Sequence, residues 1–242
     1  MPTYSFRISP MLLGFGAILL FAFFLRFYNI ENLPAGLYPD EAMNGTNAIT
    51  ANETGNYKLF YEENSGREGL FINLQALALK LFGVNIPALK LWSAIFGTLA
   101  ALGIGLLAWE LFERQSASII AAFITATSYW AINFSRIGFR AIMMPFLLSF
   151  SFYFFFRGLR TKKILPFLFA GISFGLGVHT YIAFRLAPVI LILLLPFLIL
   201  SYENFLKNYW RHAVAFIVVA FIVAAPMFSD FYRNPHHFNS RS

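Results

Sequence analysis

Residues 87–112 read PALKLWSAIFGTLAALGIGLLAWELF, an apolar run that decides the fold. A helix needs about 20 apolar residues to cross the hydrocarbon of a bilayer, and this run is longer than that. Further candidate spans are 11–30, 117–134, 142–157, 164–183, 186–201 and 213–229. The sequence therefore predicts an all-α, polytopic transmembrane helical bundle with about seven spans.

The composition is that of an integral membrane protein. Hydrophobic residues make up 59% of the chain and charged residues 12%, whereas soluble domains hold roughly 45–50% and about 25%. The net charge of +7 would favour nucleic acid as a partner of a soluble protein, but here the basic residues lie mostly in short loops between spans. We therefore expect a lipid bilayer and no nucleic acid as partner. The chain has no cysteine, which excludes disulfides and thiol chemistry.

Basic residues also predict how the chain is oriented in the membrane. The long loop 31–86 holds three basic residues against seven acidic ones. The basic residues predicted on the opposite face are Arg7, Arg114, Arg157, Arg160, Lys162, Lys163, Lys207 and Arg211. Because cytoplasmic loops carry the positive excess, we expect a cytoplasmic N-terminus, with loop 31–86 and the C-terminus extracytoplasmic. The membrane that we expect is the bacterial inner (plasma) membrane.

The loop 31–86 has an internal plan of its own. A helix is predicted to start at Pro39-Asp40 and to run through about Ala51, with Gly55 as the residue that ends it. The apolar segment 70–83 is too short to cross a bilayer, and we expect it to be a helix lying along the interface. The loop is therefore the region with room for a functional site.

The acidic pair Asp40-Glu41 opens the helix predicted in this loop. One interpretation is capping, since Asp is a favoured N-cap residue and acidic residues in the first turn complement the helix dipole. The other is catalysis, since a carboxylate at a membrane surface can act as general base towards an acceptor hydroxyl or amine. Such a base needs a nearby cation or hydrogen bonds to stay ionised. The residues alone leave both interpretations open.

Four arginines are predicted to lie on the same face as the loop: Arg67, Arg136, Arg140 and Arg185. Singly, each could reach the headgroups and bind lipid phosphate without specificity. Together they break the positive-inside trend, which favours an anionic ligand such as a phosphate held by guanidinium groups. Arg26, about one turn inside the first span, is expected either to reach the interface or to pair with acidic residues of the loop.

The histidines indicate no metal centre. His236-His237 lacks the spacing of metal ligands on a helix, and His179 stands alone. A divalent metal ion bridging Asp40 and a phosphate is conceivable, but no set of ligands specifies it. We therefore assign no metal-binding residues and no certain cofactor.

Five motifs follow one another along the chain: YPDEAMNG (38–45), LFINLQALALKLFGVN (70–85), PALKLWSAIFG (87–97), SRIGFRAIMMPFLL (135–148) and GLGVHTYIAFRLAPVILILL (175–194). Their sequences and their order resemble the lipid-carrier-dependent glycosyltransferases of the GT-C fold. The groups that they resemble most are the protein O-mannosyltransferases and the lipid A aminoarabinose transferases. The resemblance runs from about residue 20 to the end of the sequence.

This resemblance implies an inverting transfer of a sugar from a polyprenyl-phosphate donor to a glycan, lipid or protein acceptor on the outer face. It implies that Asp40 is the general base and that Glu41 supports it. It also places Arg67 near the donor phosphate and Arg136 at an external Ser-Arg signature. The residues that we expect to bind the donor phosphate or its lipid are Arg67, Arg136, Arg140, His179, Tyr181 and Arg185.

The chain also departs from the family pattern. Glu68-Gly69 replaces the usual Pro-Pro, and the acidic residue that some members carry after the Ser-Arg motif is absent. Family members usually continue with further spans. We therefore expect residues 1–242 to be a single transmembrane module, the N-terminal catalytic part of a longer enzyme, with its active site in loop 31–86.

Two other classes of function remain open. A transporter or flippase of lipid-linked sugars needs polar residues deep in its spans, and the predicted span interiors are nearly free of them. A noncatalytic membrane subunit could bind a glycolipid without turning it over. The gathering of polar residues on one side favours the enzyme.

Overall fold

The computed structural model describes residues 10–240, and Arg7 lies outside the described residues. The described chain is mostly helical, as predicted. Its α-helices are α1 (Pro10–Phe27), α2 (Pro39–Thr54), α3 (Leu70–Phe82), α4 (Ile86–Phe112), α5 (Gln115–Thr127), α6 (Tyr129–Arg136), α7 (Met143–Thr161), α8 (Ile164–Gly177), α9 (Ala187–Ser201), α10 (Phe205–Arg233) and α11 (Pro235–Asn239). Short 3-10 helices cover Arg140–Ile142 and Ile182–Leu186. Strands β1 (Phe60–Tyr61) and β2 (Arg67–Glu68) form an antiparallel hairpin.

Four helices of the described chain are long and apolar enough to cross a membrane: Ile86–Phe112, Arg140–Thr161, Ile182–Ser201 and Phe205–Arg233. Helices α5 and α6 qualify as a fifth span only together, since they are bent by 52°. Helices α1 and α8 are apolar but shorter. An all-α membrane protein is therefore confirmed, and seven spans remain a prediction. The segment predicted at 70–83 is a helix, α3, as expected.

The bend between α5 and α6 is built around Arg26 of α1. Its side chain is fully buried and donates to the backbone carbonyls of Thr125 and Ala126 at 3.4 and 3.0 Å. It also donates to Ser135 Oγ at 3.2 Å. Carbonyls in the last turn of a helix lack partners when the helix stops, and the guanidinium supplies donors to them. The expectation that Arg26 reaches the interface or pairs with loop acids is therefore wrong.

Close helix contacts in the second half of the bundle depend on small residues. Helix α8 packs between α7 and α10. At Gly175, an added Cβ would lie 2.5 Å from the carbonyl oxygen of Ala220 and 2.7 Å from Cβ of Val223. Gly171, one turn earlier, faces α10 in the same way, with the carbonyl oxygen of Phe216 at 2.6 Å. This glycine pair lets the two backbones approach, as small residues do at membrane helix interfaces.

The turns between helices gather at two ends of the bundle. At one end, Glu110 near the end of α4 forms an ion pair with Arg160 near the end of α7 at 2.6 Å. At the other end lie residues 28–69, the turn 136–142, the segment 178–186 and α11. Contacts such as Arg140 with Glu68 at 3.2 Å join these segments. We call this end the loop side.

The close approach of α8 and α10 predicts opposite effects for two glycine-to-alanine substitutions. Gly175→Ala places a methyl group against the backbone of α10, and overpacking of this kind costs typically about 1–3 kcal/mol. Gly16→Ala in α1 is the matched control, because nothing lies within 4 Å of its added Cβ and alanine favours helix. In detergent, we expect a lower apparent Tm for Gly175→Ala and an unchanged or higher Tm for Gly16→Ala. Equal Tm values for Gly175→Ala and Gly16→Ala would contradict the close packing of α8 against α10.

Candidate functional site

The acidic pair lies in the first turn of α2. The helix begins at Pro39, with Tyr38 as its N-cap residue, and ends at Gly55, which has a φ of 71°. The prediction of this helix is confirmed, but Asp40 itself is not the N-cap. Instead, Glu41 reaches back, and its Oε2 accepts a hydrogen bond from the backbone N–H of Tyr38 at 3.4 Å. The two carboxylates therefore have different surroundings.

Asp40 is half-buried and is oriented by a side chain from the hairpin turn. Asn64 Nδ2 donates to Asp40 Oδ1 at 2.7 Å. Asn64 stands in the turn between β1 and β2, where Asn64, Ser65 and Gly66 all have positive φ, at 53°, 62° and 82°. Asn and Gly tolerate this backbone region better than most residues. The turn therefore presents an amide to the carboxylate at the start of α2.

Arg67 joins the hairpin to α2. Its side chain is buried, and it donates to Asn44 Oδ1 at 2.6 Å and to Asn47 Oδ1 at 2.5 Å. Its Nε donates to the carbonyl oxygen of Glu63 at 3.1 Å. Asn44 and Asn47 are three residues apart and share a face of α2. Arg67 thus fixes the hairpin that carries Asn64 against the helix that carries Asp40.

Glu41 is buried together with a lysine that sequence analysis did not single out. Glu41 is 1% exposed and Lys90 of α4 is fully buried. Within residues 10–240, Glu41 Oε1 and Lys90 Nζ have no hydrogen-bond partner. Burial raises the pKa of Glu41 to about 7, although Lys90 and the N–H of Tyr38 oppose the rise. A charged residue within an apolar span was the signal that could have identified Lys90.

Gly138 closes the space around Glu41. It has a φ of 61°, and an added Cβ would lie 2.7 Å from Glu41 Oε1. Glycine is the residue that meets both conditions without strain. The turn between α6 and α7 therefore packs directly on Glu41, and Gly138 is a second site residue that sequence analysis missed.

Arg140 links three segments of the loop side. Its Nη1 contacts Glu68 Oε2 at 3.2 Å, and both side chains are buried. Its guanidinium lies 5.3 Å from the ring centroid of Tyr181. These contacts connect β2, the turn 136–142 and the segment 178–186. Glu68 belongs to the Glu68-Gly69 pair that stands where the family pattern has Pro-Pro. This departure thus supplies the carboxylate partner of Arg140.

Arg136 lies against the end of α1. It is 9% exposed, and its guanidinium donates to the carbonyl oxygens of Leu25, Tyr28 and Leu33 at 2.7, 2.7 and 2.9 Å. A guanidinium at the end of a helix satisfies carbonyls that lack helical partners. Arg136 therefore holds the start of the loop that leads to Asp40.

Arg185 and His179 contact the last helices rather than α2. Arg185 Nη1 donates to the carbonyl oxygen of Phe238 at 2.8 Å, and its guanidinium lies 4.3 Å from that ring centroid and 5.1 Å from the centroid of Phe231. His179 Nε2 lies 2.9 Å from the carbonyl oxygen of Val223. The predicted arginines and His179 therefore fall into two groups, one that contacts α1, α2 and the hairpin and one that contacts α10 and α11.

An apolar groove of about 190 Å³ runs between α8, α9 and α10. Its lining includes Phe174, Val178, Pro188, Leu191, Phe221 and Phe228. The segment with Arg185 connects Val178 to Pro188, and Phe231 follows Phe228 by three residues on α10. Arg185 thus lies near the loop-side end of the groove.

Residues 70–229 match the protein family described as dolichyl-phosphate-mannose-protein mannosyltransferase. The match covers more than half of the chain and runs from α3 into α10. It begins after Asp40 and Glu41, so it concerns the family and the bundle rather than these two residues. No individual curated protein matches the chain.

The burial of Glu41 predicts a pH dependence of stability. Its folded-state pKa of about 7 lies above its ordinary value of 4.5, so the native state binds this proton more tightly than the unfolded state. The resulting stabilisation is fully present below pH 4.5 and is lost as the pH rises through about 7. We expect the apparent Tm in detergent to fall across this window, and to fall less in Glu41→Gln.

The matched control for this experiment is Glu53→Gln, an exposed acid on the same helix. We expect it to keep the wild-type slope of Tm against pH. Identical slopes of Tm against pH for the wild type and Glu41→Gln would contradict the assignment of Glu41 as the titrating group.

Proposed function

Because the chain belongs to the dolichyl-phosphate-mannose-protein mannosyltransferase family, we propose that it transfers a sugar with inversion from a polyprenyl-phosphate donor to an acceptor on the extracytoplasmic face. Membership confirms the resemblance drawn from the motifs. It makes the protein a membrane glycosyltransferase that uses a lipid-linked sugar. The observation that supports inverting transfer at this site is the half-buried Asp40 carboxylate. Asn64 orients it on the loop side of an apolar bundle.

In the proposed reaction, Asp40 is the general base. The acceptor oxygen or nitrogen attacks the anomeric carbon and forms the new bond, while the bond from that carbon to the phosphate oxygen breaks. The polyprenyl phosphate leaves with the electron pair of that bond, and Asp40 takes the proton of the acceptor. Since Asn64 donates to Oδ1, we assign the proton to Oδ2. Attack opposite to the leaving group accounts for inversion.

Glu41 is proposed to support Asp40 by position. Its carboxyl holds the backbone of Tyr38 and packs against Gly138, so it keeps the first turn of α2 in place. Lys90 lies close enough to oppose part of the rise that burial causes in the pKa of Glu41. A general base works best when neighbouring groups restrict its orientation.

The donor is proposed to bind with its prenyl tail in the groove between α8, α9 and α10 and its phosphate towards Arg185 and Arg140. The groove lining is almost wholly apolar, as a prenyl chain requires. The leaving phosphate gains negative charge as the glycosidic bond breaks, so fixed guanidinium groups stabilise the transition state more than the ground state. The ring of Tyr181 lies under the guanidinium of Arg140, and Tyr181 belongs to the same segment, 178–186, as Arg185. His179 fixes the segment 178–186 to α10 through Val223.

Arg67 and Arg136 are proposed to lie near the donor phosphate and to act mainly by positioning other groups of the protein. Both are buried, and both donate to groups of the protein that shape the surroundings of Asp40. Their charges add to the positive potential of the loop side, which favours an anionic donor. The acceptor is a glycan, a lipid or a protein.

Substitution of Asp40 tests the general base. Asp40→Asn keeps the shape of the side chain but cannot accept the proton, and general base catalysis contributes typically about 10²–10⁴-fold. We expect sugar transfer from a polyprenyl-phosphate donor in proteoliposomes to fall by that factor. Donor binding and the apparent Tm should stay near wild type.

Glu53→Gln serves as the control for a lost carboxylate at the other end of α2, and it should transfer sugar at the wild-type rate. Turnover of Asp40→Asn within about twofold of wild type would exclude Asp40 as the base. That factor lies far below the general base contribution of about 10²–10⁴.

Substitution of Arg185 tests the donor site. A hydrogen bond to a charged group contributes about 1.5–3 kcal/mol, so Arg185→Ala should lower kcat/KM for the donor by roughly 10–100-fold. Arg233→Ala is the matched control, because Arg233 is an exposed arginine in the last turn of α10, on the same side. Equal kcat/KM values for the two variants would overturn the role of Arg185.

A further inference from the structure

The loop side holds a second cluster, formed by Glu62 of the hairpin turn and His236 and His237 of α11. One ligand atom from each of these residues lies within 4.8 Å of the other two. We propose that these residues bind a divalent transition-metal ion of the Zn²⁺ class. The cluster is separate from Asp40, and it joins residues that are 174 positions apart in the chain.

The distances fit a tetrahedral ion. Bonds of about 2.0–2.1 Å from zinc to nitrogen and oxygen put neighbouring ligand atoms of a tetrahedron roughly 3.3 Å apart. Glu62 Oε1 lies 2.9 Å from His237 Nε2 and 3.4 Å from His236 Nε2. These two distances are therefore already close to the tetrahedral value, and the three ligand atoms all lie within 4.8 Å of one another. Solvent would supply the fourth ligand.

His237 is held as metal-binding histidines usually are. Its Nδ1 contacts Asp230 Oδ2 at 2.7 Å, which fixes the tautomer that directs the lone pair of Nε2 towards Glu62. Its ring stacks on Phe60 with the centroids 4.5 Å apart. The side chain is buried, so the ring is oriented before any ion arrives. Asp230 is thus a positioning residue for the site.

The chemistry of the three ligand side chains and their exposure to solvent also favour a metal ion. Two imidazoles and one carboxylate suit Zn²⁺, and thiolate ligands are absent since the chain has no cysteine. The side chains of Glu62 and His236 are 68% and 66% exposed, which gives an ion direct access from solvent.

The site lies two residues from the turn residue that orients Asp40. Glu62 and Asn64 belong to the same turn, and the backbone N–H of Gly66 donates to the carbonyl oxygen of Glu62 at 3.1 Å. An ion held by Glu62, His236 and His237 would tie α11 to this turn. Metal binding to the folded state alone would also raise its stability. Because it is measured as metal binding, the inference does not depend on the proposed sugar transfer.

The test uses the full chain, purified in detergent, stripped with a chelator and titrated calorimetrically with Zn²⁺ alone. We expect one ion per chain. His236→Ala and Glu62→Gln should each weaken binding by at least tenfold, and both side chains are exposed enough to tolerate replacement. Glu53→Gln should bind like the wild type. Asp230→Asn keeps the shape of the side chain and should weaken binding by about 10–100-fold.

Absorption with Co²⁺ in place of Zn²⁺ gives a second measurement. Four-coordinate Co²⁺ should show intense visible bands in the wild type and lose them in His236→Ala. Absence of a saturable one-to-one isotherm would overturn the proposal, as would equal affinity of the wild type and both ligand variants. Unchanged affinity in Asp230→Asn would overturn the positioning role of Asp230.

Discussion

The loop side is organised by the burial of one guanidinium, that of Arg67. A charge removed from water costs several kcal/mol unless its donors are satisfied, and Arg67 is 1% exposed. Its donors are met by Asn44 and Asn47 of α2 and by the backbone of Glu63. These bonds require the hairpin and α2 to lie in one arrangement. The amide of Asn64 then meets Asp40, so the geometry of the acidic pair follows from that burial.

Different interactions stabilise the two halves of the bundle. Around α1 to α7, buried charged groups meet backbone carbonyls and carboxylates, as Arg26, Arg136 and Arg140 do. Around α8 to α10, apolar side chains and the glycine pair of α8 provide close packing and leave a groove. The two halves pack together along α7 and α8, and on the loop side they also meet at Tyr181 and at His237. The proposed polyprenyl-phosphate donor needs both kinds of surroundings, since its phosphate is anionic and its prenyl tail is apolar.

Local patterns predicted much of the secondary structure. The proline and glycine around α2 marked its ends, and the apolar segment 70–83 marked α3, because caps and periodicity act over a few residues. The bend between α5 and α6 escaped prediction, since it depends on Arg26 reaching carbonyls about a hundred residues away. The buried Lys90 beside Glu41 escaped for the same reason, as its neighbours come from other segments.

The sequence by itself determined an apolar, all-helical membrane protein, its family and an acidic pair at the head of its longest loop. These properties follow from composition, run length and short motifs. Only the tertiary structure decided which carboxylate is buried, which arginines hold the backbone, and that His236 and His237 meet Glu62. Burial and coordination depend on distances between segments far apart in the chain, and a linear pattern does not contain those distances.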